Sequence, residues 1–285
     1  MSSKLVVVGD SYCMNYIKMR NKAHLESNEP YILYHPALNA PTEFKWNYTK
    51  EYPIWPEIVA KKYNMNLINL SESGAGNYSI FSMALDAIVK EKPDKLIVAW
   101  SGWDRFEFEA EEVKMKKRII SKTSPIEKDE IFYLTPKNNT RTAWIRYHPQ
   151  PWGNLNNTKY GTNSLQDIES VGGFKIIAGI NMFMRLAYSL QELCKSLNID
   201  LKMFQSVRPF TTVEKNEEAA KLIIKDLFLD KIDDKIFKGF PTLNYIGGSC
   251  FSDIIYTNDR IHNISKYDGH PNEEGHKKIA SYVAS

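Results

Sequence analysis

Three short apolar runs, residues 5–8, 66–70 and 95–100, alternate with amphipathic segments, and this rhythm most constrains the fold. Residues 5–8 read Leu-Val-Val-Val and end in Gly9, as a strand buried on both faces does. Trp55, Ile58 and Val59 fall at helical spacing within 55–63, with Pro56 tolerated in the first turn. Ile80, Phe81, Ala84, Leu85 and Ile88 do the same within 78–90. Strand, helix, strand, helix, strand predicts a parallel sheet with right-handed crossovers. Reactive groups in such sheets gather beyond the carboxyl ends of the strands.

The rhythm breaks at residues 108–170, where charged residues give way to Asn, Thr, Trp, Tyr and Pro. We read this stretch as an insertion covering the site, within a single domain spanning 1–285. Residues 21–53 read as a long surface loop, and a helix is predicted from Tyr12 to about Arg20. The pattern resumes with a helix over 173–197, a strand over 200–204 and a helix over 214–228. Residues 229–265 give no clear pattern. Asn272 caps a last helix, with Glu273 and Glu274 in its first turn where the helix dipole favours them.

Composition narrows the functional classes. With 37 basic and 34 acidic residues the net charge is +3, and no basic stripe suited to nucleic acid appears. Lys114, Lys116, Lys117 and Arg118 follow the acidic residues of 107–112, as on a solvated mixed face. Cys13, Cys194 and Cys250 are odd in number and far apart, which predicts free buried thiols and neither disulfides nor a Cys metal site. No apolar run reaches the roughly 20 residues of a membrane helix. The first strand begins too early for a signal peptide, so a cytoplasmic protein without membrane partners is expected.

Four polar segments stand out: Gly9-Asp10-Ser11-Tyr12, residues 71–77 (Ser-Glu-Ser-Gly-Ala-Gly-Asn), residues 101–105 (Ser-Gly-Trp-Asp-Arg), and Asp268-Gly269-His270-Pro271. A serine just after a strand presents its hydroxyl at the sheet's carboxyl edge, beside amides able to hold an oxyanion. That hydroxyl needs a base, and a histidine oriented by a carboxylate is the usual one near neutral pH. Asp268 and His270 supply such a pair. The glycine turn at 74–76 exposes further amides and lacks the Gly-Lys-Ser/Thr ending of a phosphate loop. Each segment alone also suits an ordinary turn or cap.

Taken together and in this order, the blocks resemble the SGNH/GDSL hydrolase family. The resemblance rests on Gly9-Asp10-Ser11, on Gly74 after the second strand, and on Asp268 and His270 ahead of the terminal helix. It implies a flavodoxin-like three-layer α/β/α sandwich with a mostly parallel five-stranded sheet. It also implies cofactor-free ester hydrolysis through Ser11, His270 and Asp268. The oxyanion would rest on the Ser11 and Gly74 amides, with Gly76 as second choice.

Two departures stand against the resemblance. The family's third block reads Gly-x-Asn-Asp, and its Asn donates into the oxyanion hole; here Trp103 stands at that place. Losing one such donor costs about 100- to 1,000-fold in turnover. Asn77 is the candidate substitute, and Arg105 is another residue able to face the pocket. The usual Asp-x-x-His is shortened to Asp-x-His.

His262 is the rival base, His276 reads as a helix-packing or surface residue, and His24, His35 and His148 read as loop residues without metal-ligand spacing. Trp144, Tyr147, Trp152 and Tyr160 suit either a sugar-stacking platform or the packing of the insertion. The expected substrate is a small-molecule or glycan ester, with an O-acetylated carbohydrate as the specific expectation. An inactive glycan- or protein-binding module and an O-acyltransferase are the alternatives.

Overall fold

The computed structural model describes residues 3–15, 32–35, 40–43, 51–110, 114–119, 128–133, 143–147, 175–210, 212–264 and 269–285. In chain order the strands are β1 (Lys4–Gly9), β2 (Ile32–His35), β3 (Ala40–Glu43), β4 (Asn66–Asn69), β5 (Lys95–Trp100), β6 (Phe106–Ala110), β7 (Lys114–Ile119), β8 (Lys128–Tyr133), β9 (Ala143–Tyr147) and β10 (Asp200–Gln205). The helices are α1 (Trp55–Tyr63), α2 (Asn77–Glu91), α3 (Ile176–Ser196), α4 (Val213–Ile223), α5 (Phe251–Ile254) and α6 (Glu273–Val283).

The main sheet is parallel throughout, in the order β10-β5-β1-β4. Its alternating side chains feed two cores. Val6, Val8, Leu96, Val98, Trp100, Leu201 and Met203 face the layer holding α2, α3 and α4. Leu5, Val7, Ile97, Ala99 and Phe204 face the layer holding α1, α5 and α6. The chain is therefore an α/β/α sandwich. Leu5, Val6, Val7 and Val8 are wholly buried, and each contributes about 1.5–3 kcal/mol of apolar burial. That two-sided burial is why the strand reads as an unbroken apolar run.

From β1 the chain winds through α1 to β4, then crosses back over β1 through α2 to β5. Helices change face where that direction reverses. β1 and β5 are the strands between which the winding reverses, the place where a doubly wound sheet has its crevice.

Among the described residues the main sheet has four strands, where five were expected. The fifth position, beyond β10, is held by an isolated parallel bridge between Met203 and Phe237. Met203 N donates to Ile236 O, and Lys238 N donates to Met203 O. Turns closing at Phe237 on Asp233 O and at Phe240 on Phe237 O restrict this pairing to a single bridge.

Four other readings are refined by the described residues. Residues 21–53, read as loop, contain the antiparallel pair β2–β3. The expected insertion at 108–170 contains strands, with β6 paired to β9 and β7 to β8. Helix α4 stops at Ile223, short of Phe228, and Asp226 then accepts from Phe228 N in an Asx turn that competes with the helix. Residues 11–13 form one 3-10 turn, and Met14 returns to extended backbone, so no helix runs on from Tyr12 through that point.

Among the described residues, no helix is long and apolar enough to cross a membrane, and no group of three or more His, Cys, Asp or Glu is placed to hold a metal. The three cysteines are free and buried, and burial pushes the Cys194 thiol up to about 11.

Candidate active site

Ser11 stands at the first position of the 3-10 turn that follows β1. Gly9, just before, packs so close to β5 that a Cβ there would lie 3.0 Å from the Ala99 carbonyl oxygen. Asp10 caps the turn: its Oδ1 accepts from Tyr12 N at 3.0 Å. Trp55 Nε1 donates to the Tyr12 carbonyl at 2.9 Å, and Asn69 Nδ2 donates to the Cys13 carbonyl at 2.7 Å. The Ser11 turn is thus tied to α1 and to the end of β4. Ser11 keeps 8% of its surface exposed.

His270 meets it from the far end of the chain. Its Nε2 lies 2.8 Å from Ser11 Oγ, and with the imidazole in the Nδ1–H tautomer it accepts the hydroxyl proton. The segment around it is held by its backbone. Gly269 O accepts from Tyr12 Oη at 2.8 Å and from Asn263 Nδ2 at 2.7 Å. His270 O accepts from Ile264 N at 2.8 Å, and Pro271 O accepts from Tyr52 Oη at 3.3 Å. Asn272 then caps α6, its Oδ1 accepting from Gly275 N at 3.0 Å, as its place in the sequence predicts. Tyr12 therefore joins the Ser11 turn to the His270 segment, a link that sequence reasoning missed. Its one signal was adjacency to Ser11.

Of the other histidines, His276 is buried at the start of α6 and its Nδ1 accepts from Trp55 N at 3.3 Å. Burial, reinforced by nearby His270, lowers its pKa to about 3. It is a neutral packing residue. His262 supplies its carbonyl to Asn272 N behind the base segment, while Ser11 Oγ is met by His270. Asp268, the expected acidic partner, lies outside the described residues, as do His24, His148, Trp152 and Tyr160. The side chains of His35, Trp144 and Tyr147 also lie outside what the structure describes.

The glycine turn is brought alongside by β4, whose pairing with β1 continues past its end. Leu70 N donates to Val7 O at 2.9 Å and Glu72 N to Gly9 O at 3.0 Å. The turn at 73–74 thus reaches the level of Ser11. Gly74 has φ 75°, in the left-handed region that glycine enters without strain. Among the described residues, neither the Ser11 nor the Gly74 amide donates to a protein acceptor. Gly76 is the extended N-cap of α2.

Asn77 is committed elsewhere. Its Nδ2 donates to Ser101 O at 3.3 Å and Gly102 O at 3.2 Å, and its Oδ1 accepts from Ser101 N at 2.8 Å. The amide nitrogen is turned to the backbone that follows β5, so Asn77 braces this loop. Trp103 points away from the crevice. It is fully buried, stacked on Phe183 with centroids 4.3 Å apart, and its Nε1 donates to Gln205 Oε1 at 3.1 Å. Arg105, by contrast, returns to the site: its Nη1 donates to Ala75 O at 3.0 Å and lies 3.8 Å from Asp10 Oδ2. The Asp10 carboxylate is fully buried and also accepts from Ser101 Oγ at 3.0 Å.

Cys13, two residues past Ser11, is not a reactive thiol. Burial first, and then the Asp10 charge, push its thiol well above the usual range, leaving it neutral.

No protein-family model matches the chain, and no curated protein matches it. Among solved structures it is similar to one described as a lipolytic protein of the G-D-S-L family from Desulfitobacterium hafniense DCB-2. That match has 11% identity, covers 99% of this chain and 98% of that one, and has a TM-score of 0.42. It is similar also to a psychrotrophic esterase from Pseudoalteromonas sp., at 11% identity, 99% and 96% coverage and a TM-score of 0.40. A GDSL-like lipase from Bacteroides thetaiotaomicron VPI-5482 matches at 11% identity, 98% and 84% coverage and a TM-score of 0.37. These superpositions are loose, and the chemistry of the site is carried by its own distances.

Proposed function

We propose that the chain is a serine hydrolase of the SGNH/GDSL type, with Ser11 as nucleophile and His270 as its base. The observation that supports this most is the 2.8 Å approach of His270 Nε2 to Ser11 Oγ, across 259 residues of sequence and at the carboxyl edge of a parallel sheet. Ser11 Oγ attacks the acyl carbon of an ester while His270 takes its proton. The tetrahedral oxyanion is received by the Ser11 and Gly74 amides. His270 returns the proton to the departing alcohol, and a water, deprotonated by the same imidazole, releases the acid. Asp268 is the proposed orienting carboxylate. The proposed substrate is a small-molecule ester, with an O-acetylated glycan as its more specific form.

Hydrolysis of a short-chain aryl acetate, with fluorophosphonate labelling of Ser11, tests the reading. Expected are a labelled, active parent and a loss of at least about 1,000-fold in both Ser11→Ala and His270→Ala. A folded parent that neither labels nor turns over would overturn it.

One observation favours a second reading, a fold retained for binding a glycan or protein. Trp103 is sequestered in the core and the Asn77 amide is spent on backbone, so neither supplies the third oxyanion donor. Ligand binding that survives Ser11→Ala, in a parent without turnover, would distinguish it. Transfer of the acyl group to an added alcohol would identify an O-acyltransferase.

A further inference from the structure

Asp10 poses an electrostatic problem for a site of this kind. Its carboxylate has no exposed surface and is joined by one peptide bond to the residue whose amide and hydroxyl carry the chemistry. A buried negative charge is unfavourable unless paired. It also opposes a second negative charge forming beside it. Tyr12 N and Ser101 Oγ each donate to it, but neither brings a positive charge. Its charge is felt nearby, since it helps to push up the Cys13 thiol.

Among the described residues, Arg105 is the cation within 4 Å of this carboxylate. At 3.8 Å it acts on Asp10 through space. Its guanidinium is held in place by the Ala75 carbonyl, in the middle of the glycine turn, and its side chain is only 15% exposed. Arg105 thus sits between the two segments whose amides would receive the oxyanion. It arrives there because the 101–105 turn buries Trp103 and closes with Arg105 N donating to Gly102 O.

We infer that Arg105 is a positioning residue of the hydrolytic site: held by the Ala75 carbonyl, its guanidinium cancels the Asp10 charge beside the oxyanion hole. This inference rests on the hydrolase reading. Removing Arg105 leaves a buried unpaired carboxylate next to a developing oxyanion, which weakens the transition state more than the ground state. The effect falls on kcat. Removing both charges restores the balance.

The test is a double-mutant cycle on Arg105→Met, Asp10→Asn and the double variant, with Arg105→Lys alongside. Aryl acetate kinetics, fluorophosphonate labelling and thermal unfolding are the readouts. Expected for Arg105→Met is a loss of roughly 10- to 100-fold in kcat with KM little changed. Arg105→Lys should recover most of the rate, and the double variant should return to about the rate of Asp10→Asn. Should Arg105→Met fail to fold, a double variant with parent-like melting carries the same conclusion, and an unfolded double variant overturns it. Additive losses around the cycle, or a loss that falls on KM, overturn the inference while a labelled Ser11 leaves the hydrolase reading intact. An unlabelled, inactive parent overturns the reading itself and this inference with it.

Discussion

His276 makes the acid stability of this protein predictable. It is 1% exposed, and burial together with the neighbouring His270 lowers its pKa to about 3. In the unfolded chain an imidazole titrates near 6.5. Between those values the unfolded state holds a proton that the folded state does not, so stability rises with pH across this window. Read downwards, the His276 contribution is whole above about pH 6.5 and is lost progressively as pH falls towards 3. The limiting slope is about 1.4 kcal/mol per pH unit, so roughly 2 kcal/mol is gone at pH 5. That is a large share of the about 5–15 kcal/mol that holds a domain together. The assay is urea unfolding from pH 4.5 to 8, on the parent and on His276→Asn. The Asn carbonyl replaces Nδ1 as acceptor for Trp55 N and does not titrate. Contributions from carboxylates and from the other histidines are common to both proteins. The variant's stability should therefore fall less steeply below pH 6.5, by close to one proton. Equal slopes would refute the reasoning, because a buried neutral imidazole cannot be removed without changing the proton balance.

Three further outcomes are expected. Tyr12→Phe removes the donor that joins the nucleophile turn to Gly269 O, and should cost about 1 kcal/mol in urea unfolding and a larger proportional loss in kcat. Asn77→Ala strips the partners from Ser101 N, Ser101 O and Gly102 O in a fully buried place; a loss of about 2–4 kcal/mol is expected, and a change under about 0.5 kcal/mol would show the brace to be dispensable. Gly74→Ala places a Cβ on a residue with φ 75°, and should cost about 1 kcal/mol in stability while lowering esterase activity more than it lowers binding of the same ester.

Much of the main sheet was legible because its strands carry strong local signals. Leu5 to Val8 are apolar on both faces and end at a glycine, and α1 and β5 run over the predicted residues 55–63 and 95–100. The fifth strand was not legible, because one bridge at Phe237 leaves no run of alternating side chains to read. The pairs β2–β3 and β6–β9 escaped for a related reason. Two-stranded ribbons take their partners from turn geometry and distant segments, and Asn, Pro and charge in their surroundings read as loop.

The site divides along the same line. Residues fixed by backbone position were legible: Ser11 follows β1, Gly74 needs its positive φ, and His270 precedes a capped helix. Residues whose part depends on where a side chain turns were not. Asn77 sits one residue past the glycine turn, yet its amide faces the loop after β5. Trp103 holds the place expected for an oxyanion donor, and its apolar bulk carries it into the aromatic cluster of Phe183 and Phe210. Burying Trp103 in the core and closing the 101–105 turn at Gly102 has a consequence two residues on, since Arg105 is then the side chain left to return over the sheet edge. The departure from the expected block is thus one coupled change. The Asn77 amide faces the backbone after β5, and a cation stands between Asp10 and the glycine turn. If the site hydrolyses esters, its oxyanion is held by backbone amides and by a local charge balance, and its rate should respond to Asp10 and Arg105 together.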